Sequence, residues 1–338
     1  MRKWILVTVA VLLLGAYAAA LASWYTPQPV MKEEPMQPSE TETTVQPLPP
    51  ETTAPDLQDP PAQTEAVPAP TADPAYALTA RNAFVYDCKT ATLRFTKGDM
   101  QTRISPASLT KLLTAYVALQ YLTADQVVVC GEEATWIDPM SSVAWVSKGD
   151  RVTVQKLVQG MMMQSGNDAA YVAAVAAGRI IAEDPQLAPK KALEIFMARV
   201  NSFAEESGLN GTHFDTPDGV DTDNHYTTME DILSITLMAI EHPLIRHYTG
   251  LAESTVTYEN SETYTYRNTN YLLHADSKYY SPDACGIKTG TTKKAGSCLM
   301  ALFHNGEGYV LIGIFGCPKY EDRFADALHL YTLYGNAA

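Results

Sequence analysis

The chain has 338 residues, with 24 Lys and Arg against 38 Asp and Glu, a formal net charge of −14. A hydrophobic content of 46% belongs to a folded chain and excludes disorder along its whole length. The acidic balance argues against nucleic-acid binding, which needs a basic surface to displace counterions from phosphates.

The two ends of the chain differ in chemistry. Arg2 and Lys3 open the sequence, and residues 4–22 after them carry no charge. This segment reads as a signal peptide, with Ala20-Leu21-Ala22 supplying the small residues of a cleavage site before Ser23. It is also about long enough to stay behind as a membrane anchor. Either reading carries the rest of the chain out of the cytoplasm. Residues 23–75 read as a tether. Thirteen of the 21 prolines, nine acids and one base (Lys32) fall between residues 27 and 75, with no aromatic residue. Such a segment buries too little apolar surface to offset chain entropy and is expected to stay extended. More than half of the net charge therefore sits on the tether, not on residues 76–338.

Within residues 76–338 the first signal is a hairpin, 83–87 and 92–96 around Cys88-Lys89-Thr90-Ala91. Leu109, Leu112, Leu113, Tyr116, Val117 and Leu119 are spaced for a helix over 108–122. Helices are also expected over 154–163 and 168–177. Residues 189–207 carry Leu193, Phe196, Val200 and Phe203 on one stripe, with Gly208 as a stop. Thr228 and Asp231 give a helix over 227–240 a capping-box start. The period then changes: 256–258, 286–289, 297–303 and 309–315 read as strands, and 321–334 as a closing helix. Strands at both ends with helices between predict an α+β domain whose first hairpin completes the late sheet.

Three short motifs carry chemistry. In Ser108-Leu109-Thr110-Lys111, a spacing of three places the hydroxyl and the amine on one helix face. Serine needs a base to become a nucleophile, and lysine can be that base only if its pKa is lowered. Burial among Leu109, Leu112 and Leu113, and the charge of Lys288, are the expected causes. Ser165-Gly166-Asn167 sits in a break between helices and offers a proton relay and a positioning amide. Lys288-Thr289-Gly290-Thr291 ends an apolar strand. It offers a cation and a hydroxyl to a carboxylate, a glycine that lets backbone approach closely, and at Thr291 an N–H that pairs with that of Ser108 as an oxyanion hole. Each motif alone is common; their order S-x-x-K, S-x-N, K-T-G is not.

That order resembles the serine-type D-alanyl-D-alanine carboxypeptidases, the low-molecular-mass penicillin-binding proteins of peptidase family S11. The likeness extends over Ile104-Ser105-Pro106-Ala107-Ser108, Met163-Gln164-Ser165-Gly166-Asn167-Asp168-Ala169, and Gly211-Thr212-His213-Phe214-Asp215-Thr216-Pro217-Asp218-Gly219-Val220 with His225-Tyr226-Thr227-Thr228. It continues through Asn268-Thr269-Asn270-Tyr271-Leu272-Leu273 and Gly286-Ile287-Lys288-Thr289-Gly290 with Ala295-Gly296-Ser297. The resemblance implies a β-lactamase/DD-peptidase-like fold, an antiparallel sheet flanked by helices with an all-helical subdomain inserted. It implies Ser108, Lys111 and Ser165 as catalytic residues. Asn167, Lys288, Thr289, Gly290 and Thr291 would bind a peptidoglycan stem peptide. β-Lactams would be covalent inhibitors, and no metal, cofactor or nucleic acid is expected. Thr291 stands where some relatives have His. The β-rich C-terminal domain and anchor helix of many relatives are not expected after residue 338, so attachment to a membrane would rest on residues 4–22.

Two rival readings are a class A-like β-lactamase and a penicillin-sensing or wall-binding domain without turnover. Glu206-Ser207-Gly208-Leu209-Asn210 matches the E-x-x-L-N segment of that lactamase class, but it falls at a helix end, and Gly166 stands where that class has Asp. The five cysteines are an odd number, so at least one thiol is free within a monomer; Cys285 and Cys298 are the candidate pair, on neighbouring strands, and buried thiols are expected for most of the five. The seven histidines show no metal spacing, and a structural role is expected for His225. The 12 methionines are expected to fill the core.

Overall fold

A computed structural model describes residues 77–335 apart from 261 and 307. The apolar segment 4–22 and the tether 23–75 lie outside the described residues. Among the described residues no helix is long and apolar enough to cross a membrane.

The strands are β1 (Asn82–Asp87), β2 (Thr92–Lys97), β3 (Arg103–Ile104), β4 (Val127–Val129), β5 (Arg151–Thr153), β6 (Thr227–Thr228), β7 (Glu253–Thr257), β8 (Thr263–Arg267), β9 (Ala284–Thr292), β10 (Gly296–His304) and β11 (Tyr309–Cys317). The helices are α1 (Thr110–Ala118), α2 (Val154–Gln159), α3 (Asn167–Ile181), α4 (Pro189–Glu206), α5 (Met229–Glu241), α6 (Pro243–Gly250) and α7 (Asp322–Tyr334). Five strands form the main sheet in the order β2-β1-β11-β10-β9, with every neighbouring pair antiparallel. The first hairpin thus joins the late strands, as the α+β reading requires.

The apolar runs of β10 and β11 follow from this placement. Both faces of these strands are covered, so side chains pointing either way must be apolar. On one face Val85, Leu299, Ala301, Phe303, Ile312 and Ile314 meet Phe324, Ala327 and Leu330 of α7. On the other, Phe84, Met300, Leu302, Leu311 and Phe315 meet the helical part, including Leu109, Leu112 and Met161. Aromatic contacts such as Phe303 on Tyr331, with centroids 4.2 Å apart, add to area burial. Asp326 of α7, itself buried, accepts from the Ala80 backbone N–H at 2.8 Å and ties the start of the described chain to the sheet.

The structure departs from the sequence expectations in places that bear on the site. The helix expected over 108–122 begins instead as a 3-10 turn at Ala107–Leu109, and α1 proper starts at Thr110. The helix expected over 154–163 stops at Gln159, and a π turn, Gly160–Gln164, takes over. Strand β8 and helix α6 were not foreseen. The β7–β8 hairpin forms a two-stranded sheet of its own; along β8, Thr263-Tyr264-Thr265-Tyr266-Arg267 alternates with Tyr266 buried and the threonines exposed, the pattern of a half-buried strand. Thr228 does cap α5, its side chain accepting from the Asp231 N–H at 3.1 Å. All five cysteines are free thiols. Cys298 lies across from Gly290, five residues from Cys285 along β9 and hence roughly 17 Å away, which forbids that disulfide.

One substitution tests the helix packing. Gly178 of α3 faces α4 so closely that an added Cβ would collide with the Ala192 carbonyl. Gly→Ala inside a helix ordinarily stabilises by about 1 kcal/mol. Here Gly178→Ala is expected to destabilise by about 1–3 kcal/mol, because backbone cannot rotate away; the urea midpoint should fall, and a rise would show that the two helices can separate freely.

Candidate active site

The nucleophile segment is set by backbone strain and by a buried lysine. Ala107 has φ +51, a left-handed conformation that costs a non-glycine residue about 1–2 kcal/mol. Ser108 follows in the 3-10 turn, where side chains three apart eclipse, and Lys111 lies in the first turn of α1. Lys111 is fully buried. Its Nζ lies 2.9 Å from Ser108 Oγ, 2.7 Å from Asn167 Oδ1 and 2.8 Å from the Asp218 carbonyl.

The last two partners only accept. A neutral amine has two N–H groups and one lone pair. It must therefore spend both hydrogens on Asn167 and Asp218, which leaves the lone pair aimed at the Ser108 hydroxyl. Burial lowers the Lys111 pKa to about 8, while the carboxylates of Asp218 and Asp168 pull it back up. Lys288 is also fully buried, and its pKa falls well below the usual lysine value, first by burial and then by the charges of Lys111 and Arg323. Burial is the main cause at Lys111, as it is at Lys288, and the repulsion between the two amines adds to it.

The second motif hangs from the π turn. Met161, Met162 and Met163 are all buried, and the wide turn delivers Ser165 in a left-handed conformation, φ +60 and ψ 29. Such π bulges are often found at functional sites. Asn167 opens α3, and its Oδ1 accepts from Lys111 Nζ. Neither Ser165 Oγ nor Asn167 Nδ2 has a hydrogen-bond partner among the described residues, so both remain open to a ligand. Gly166 has no room for a side chain, since a Cβ would sit 2.6 Å from that of Ala144 and 2.8 Å from its nitrogen. An aspartate at this position, as in the rival lactamase pattern, would not fit. Glu206 of the E-x-x-L-N match is exposed at the end of α4 and paired with Arg199 at 3.1 Å. Asp168, next in sequence, was not singled out beforehand. Its buried carboxylate accepts from the N–H groups of Ala144 and Val146 at 2.8 Å each, latching the 144–146 loop beside the motif.

The third motif lies on β9, the edge of the main sheet. Gly290 passes the nucleophile segment so closely that a Cβ would be 3.0 Å from Pro106 O, Ser108 N and Ala107 Cβ. Thr289 Oγ1 is 2.6 Å from Thr269 Oγ1, and Lys288 Nζ donates to the Thr289 carbonyl at 2.9 Å. Beneath the strand lies a residue the motifs do not contain. Arg323 of α7 is fully buried, and its Nη1 donates to Gly290 O, Thr291 Oγ1 and Cys298 O at 2.8, 3.0 and 3.0 Å. Its Nε and Nη2 make no hydrogen bond among the described residues, and the guanidinium lies over the Tyr320 ring at 3.9 Å. A trace of Arg323 exists in the sequence: it falls four and seven positions before Ala327 and Leu330, on the buried stripe of the last helix, where an unpaired cation is out of place. Nothing local points to Thr269 or to the Asp218 carbonyl.

The site is thus a groove along a strand edge. A separate cavity of about 330 Å³ is lined by Arg81, Arg103 and Lys294 among others, and by none of these residues. Among the described residues no group of His, Cys, Asp or Glu is placed to hold a metal ion.

The comparisons with known proteins agree with this geometry. Residues 67–316 match the family described as D-alanyl-D-alanine carboxypeptidase. The chain is 26% identical over 249 residues to DacF of Bacillus subtilis strain 168, covering 73% of this chain and 59% of that one. It is 31% identical over 241 residues to DacA of Escherichia coli K12, covering 68% and 54%. It spans little more than half the length of these relatives. The crystal structure of the Streptomyces K15 DD-transpeptidase superposes with a TM-score of 0.68 at 28% identity, covering 76% of this chain and 98% of that one. The fold, the order of the motifs and the match over most of the described residues identify the chain as a member of the D-alanyl-D-alanine carboxypeptidase family, peptidase family S11.

Proposed function

We propose that the chain is a serine-type D-Ala-D-Ala carboxypeptidase acting on peptidoglycan stem peptides outside the cytoplasmic membrane. The observation that carries this reading is the buried Lys111 amine, aimed by two obligate acceptors at Ser108 Oγ 2.9 Å away. Ser108 Oγ attacks the carbonyl of the penultimate D-Ala as Lys111 Nζ takes the hydroxyl proton. The oxyanion is received by the N–H groups of Ser108 and Thr291. The C–N bond then breaks, and Ser165 passes the proton from Lys111 to the departing D-Ala amine. Water, deprotonated in turn by Lys111, hydrolyses the Ser108 ester. Asn167 Nδ2 positions the peptide.

The terminal carboxylate is assigned to Lys288, Thr289 and Thr291, with the Arg323 cation behind them holding the Gly290 carbonyl and the Thr291 hydroxyl. An arriving anion would restore the charge on Lys288 that burial suppresses. A β-lactam presents the same carboxylate and acyl group and is expected to trap Ser108. Residues 4–22 would export the chain, whether cleaved before Ser23 or kept as an anchor, and residues 23–75 would hold residues 76–338 away from the membrane.

Release of D-Ala from an acyl-D-Ala-D-Ala peptide by the wild type, and its loss in Ser108→Ala, is the direct test. Acylation by penicillin without D-Ala release would favour a sensor, and rapid penicillin turnover a lactamase.

The pH dependence follows from Lys111. Its neutral form is the base and accumulates as pH rises through the lowered pKa of about 8. The rate of acylation should climb about tenfold per pH unit below that value and level off above it. A profile with no limb below about 9 would remove Lys111 from the role of base.

Arg323→Gln should lower kcat/KM for carboxylate-bearing peptides by roughly 10- to 100-fold, the worth of about 1.5–3 kcal/mol for a charged hydrogen bond. Unchanged kcat/KM would take Arg323 out of the carboxylate site.

A further inference from the structure

His225 is buried at 1% exposure and lies flat on Phe214, with ring centroids 4.8 Å apart and 10° between planes. Both ring nitrogens are engaged. Nδ1 accepts from the Asp215 backbone N–H at 3.2 Å, so in the neutral ring the proton is on Nε2. Nε2 lies 2.8 Å from Thr110 Oγ1, and the Thr110 hydroxyl in turn donates to the Ala107 carbonyl at 2.8 Å. The directions are therefore fixed end to end: backbone N–H to imidazole, imidazole N–H to hydroxyl, hydroxyl to carbonyl. Burial lowers the His225 pKa to about 4, so the ring stays in the one state that supports this sequence of bonds.

The chain of bonds ends at a strained point. Ala107 is the residue with φ +51, and Gly219 approaches its carbonyl so closely that a Cβ there would collide with Ala107 O. Ala107 is bonded directly to Ser108. A conformation that costs a non-glycine residue free energy persists only where its surroundings over-determine it. Here the Thr110 hydroxyl bonds to the carbonyl and the Gly219 backbone packs against it. Hydrogen bonds in series within a low-dielectric interior polarise and stiffen one another.

We propose that His225 is a positioning residue, which through the Thr110 hydroxyl fixes the Ala107 carbonyl and so aims the Ser108 nucleophile at the substrate. It touches neither substrate nor the reacting atoms, and the inference rests on the reading of Ser108 as the acylated residue. His225 thereby gains a role beyond packing on Phe214, and the threonine of the first motif gains one beyond helix initiation.

The test is the rate of acylation by penicillin, normalised to the fraction of protein finally acylated, so that unfolded material does not count. His225→Phe keeps the stack on Phe214 and removes both hydrogen bonds. Thr110→Val removes the relay at nearly constant volume. Each is expected to slow the acylation step by about 10- to 100-fold, the scale of a small misplacement of a reacting group, with little change in the non-covalent dissociation constant. Because both act through one path, the double variant should be about as slow as either single one. His225→Gln, whose amide can accept from Asp215 and donate to Thr110, should recover most of the rate. Wild-type acylation by Thr110→Val, or multiplying losses in the double variant, would overturn the proposal. So would failure of His225→Gln to exceed His225→Phe. If His225→Phe does not fold, the rates of Thr110→Val and His225→Gln decide. A wild type that penicillin never acylates would instead overturn the underlying assignment of Ser108.

Discussion

A lysine amine held in the protein interior is the constraint around which the site is organised. Burial that lowers its pKa from 10.5 to about 8 costs stability of about 3 kcal/mol wherever the group is protonated in both the folded and unfolded chain. The sign follows from the depressed value: the cost is full below pH of about 8 and disappears above about 10.5. A fold does not keep such a group for stability. Under the proposed mechanism the same burial supplies a base usable near neutral pH, which exposed lysine cannot be. Two acceptors from distant parts of the chain, Asn167 and Asp218, then fix which way the lone pair points.

Much of the surrounding backbone serves this arrangement. Ala107 and Ser165 both adopt left-handed conformations that ordinary loops assign to glycine. Their neighbours are glycines where space, not conformation, is limiting: Gly166 against Ala144, and Gly290 against Pro106 and Ser108. Gly219 combines a positive φ with contact to the Ala107 carbonyl. Three segments far apart in sequence thus approach to backbone contact around one hydroxyl. The large apolar core on both faces of the sheet is what makes that strain affordable.

Charge is distributed by the same logic. Lys111, Lys288 and Arg323 are all buried, and Lys288 feels the other two. Burial suppresses the charge on Lys288, so the cation beneath the strand edge is chiefly Arg323, less screened than it would be at a surface. Arg323 reaches the edge from the last helix, beneath the strand it serves, and keeps part of its guanidinium unsatisfied. Unmade hydrogen bonds on a buried guanidinium are costly, and its stacking 3.9 Å over the Tyr320 ring offsets part of that cost.

Much of this was legible in the sequence for a simple reason: it is local. The spacing of Ser108 and Lys111 needs only the geometry of one helical turn. The apolar runs of β10 and β11 need only two covered faces, and the hairpin at residues 82–97 needs only its turn. Order along the chain then made three common motifs specific. The sequence could not show that the helix before Ser165 widens into a π turn, because Met161 to Met163 fit either geometry. Nor could it show that Asp168 latches a loop 22 to 24 residues earlier, that Arg323 lies under Gly290, or that His225 bonds to Thr110. Those pairings depend on how the sheet and helices pack, and no local pattern encodes the distance between groups that meet only in three dimensions. The sequence by itself determined which functional groups are present and in what order. Tertiary structure decided which of them are buried, and burial sets the proton affinity of Lys111 and the aim of Ser108.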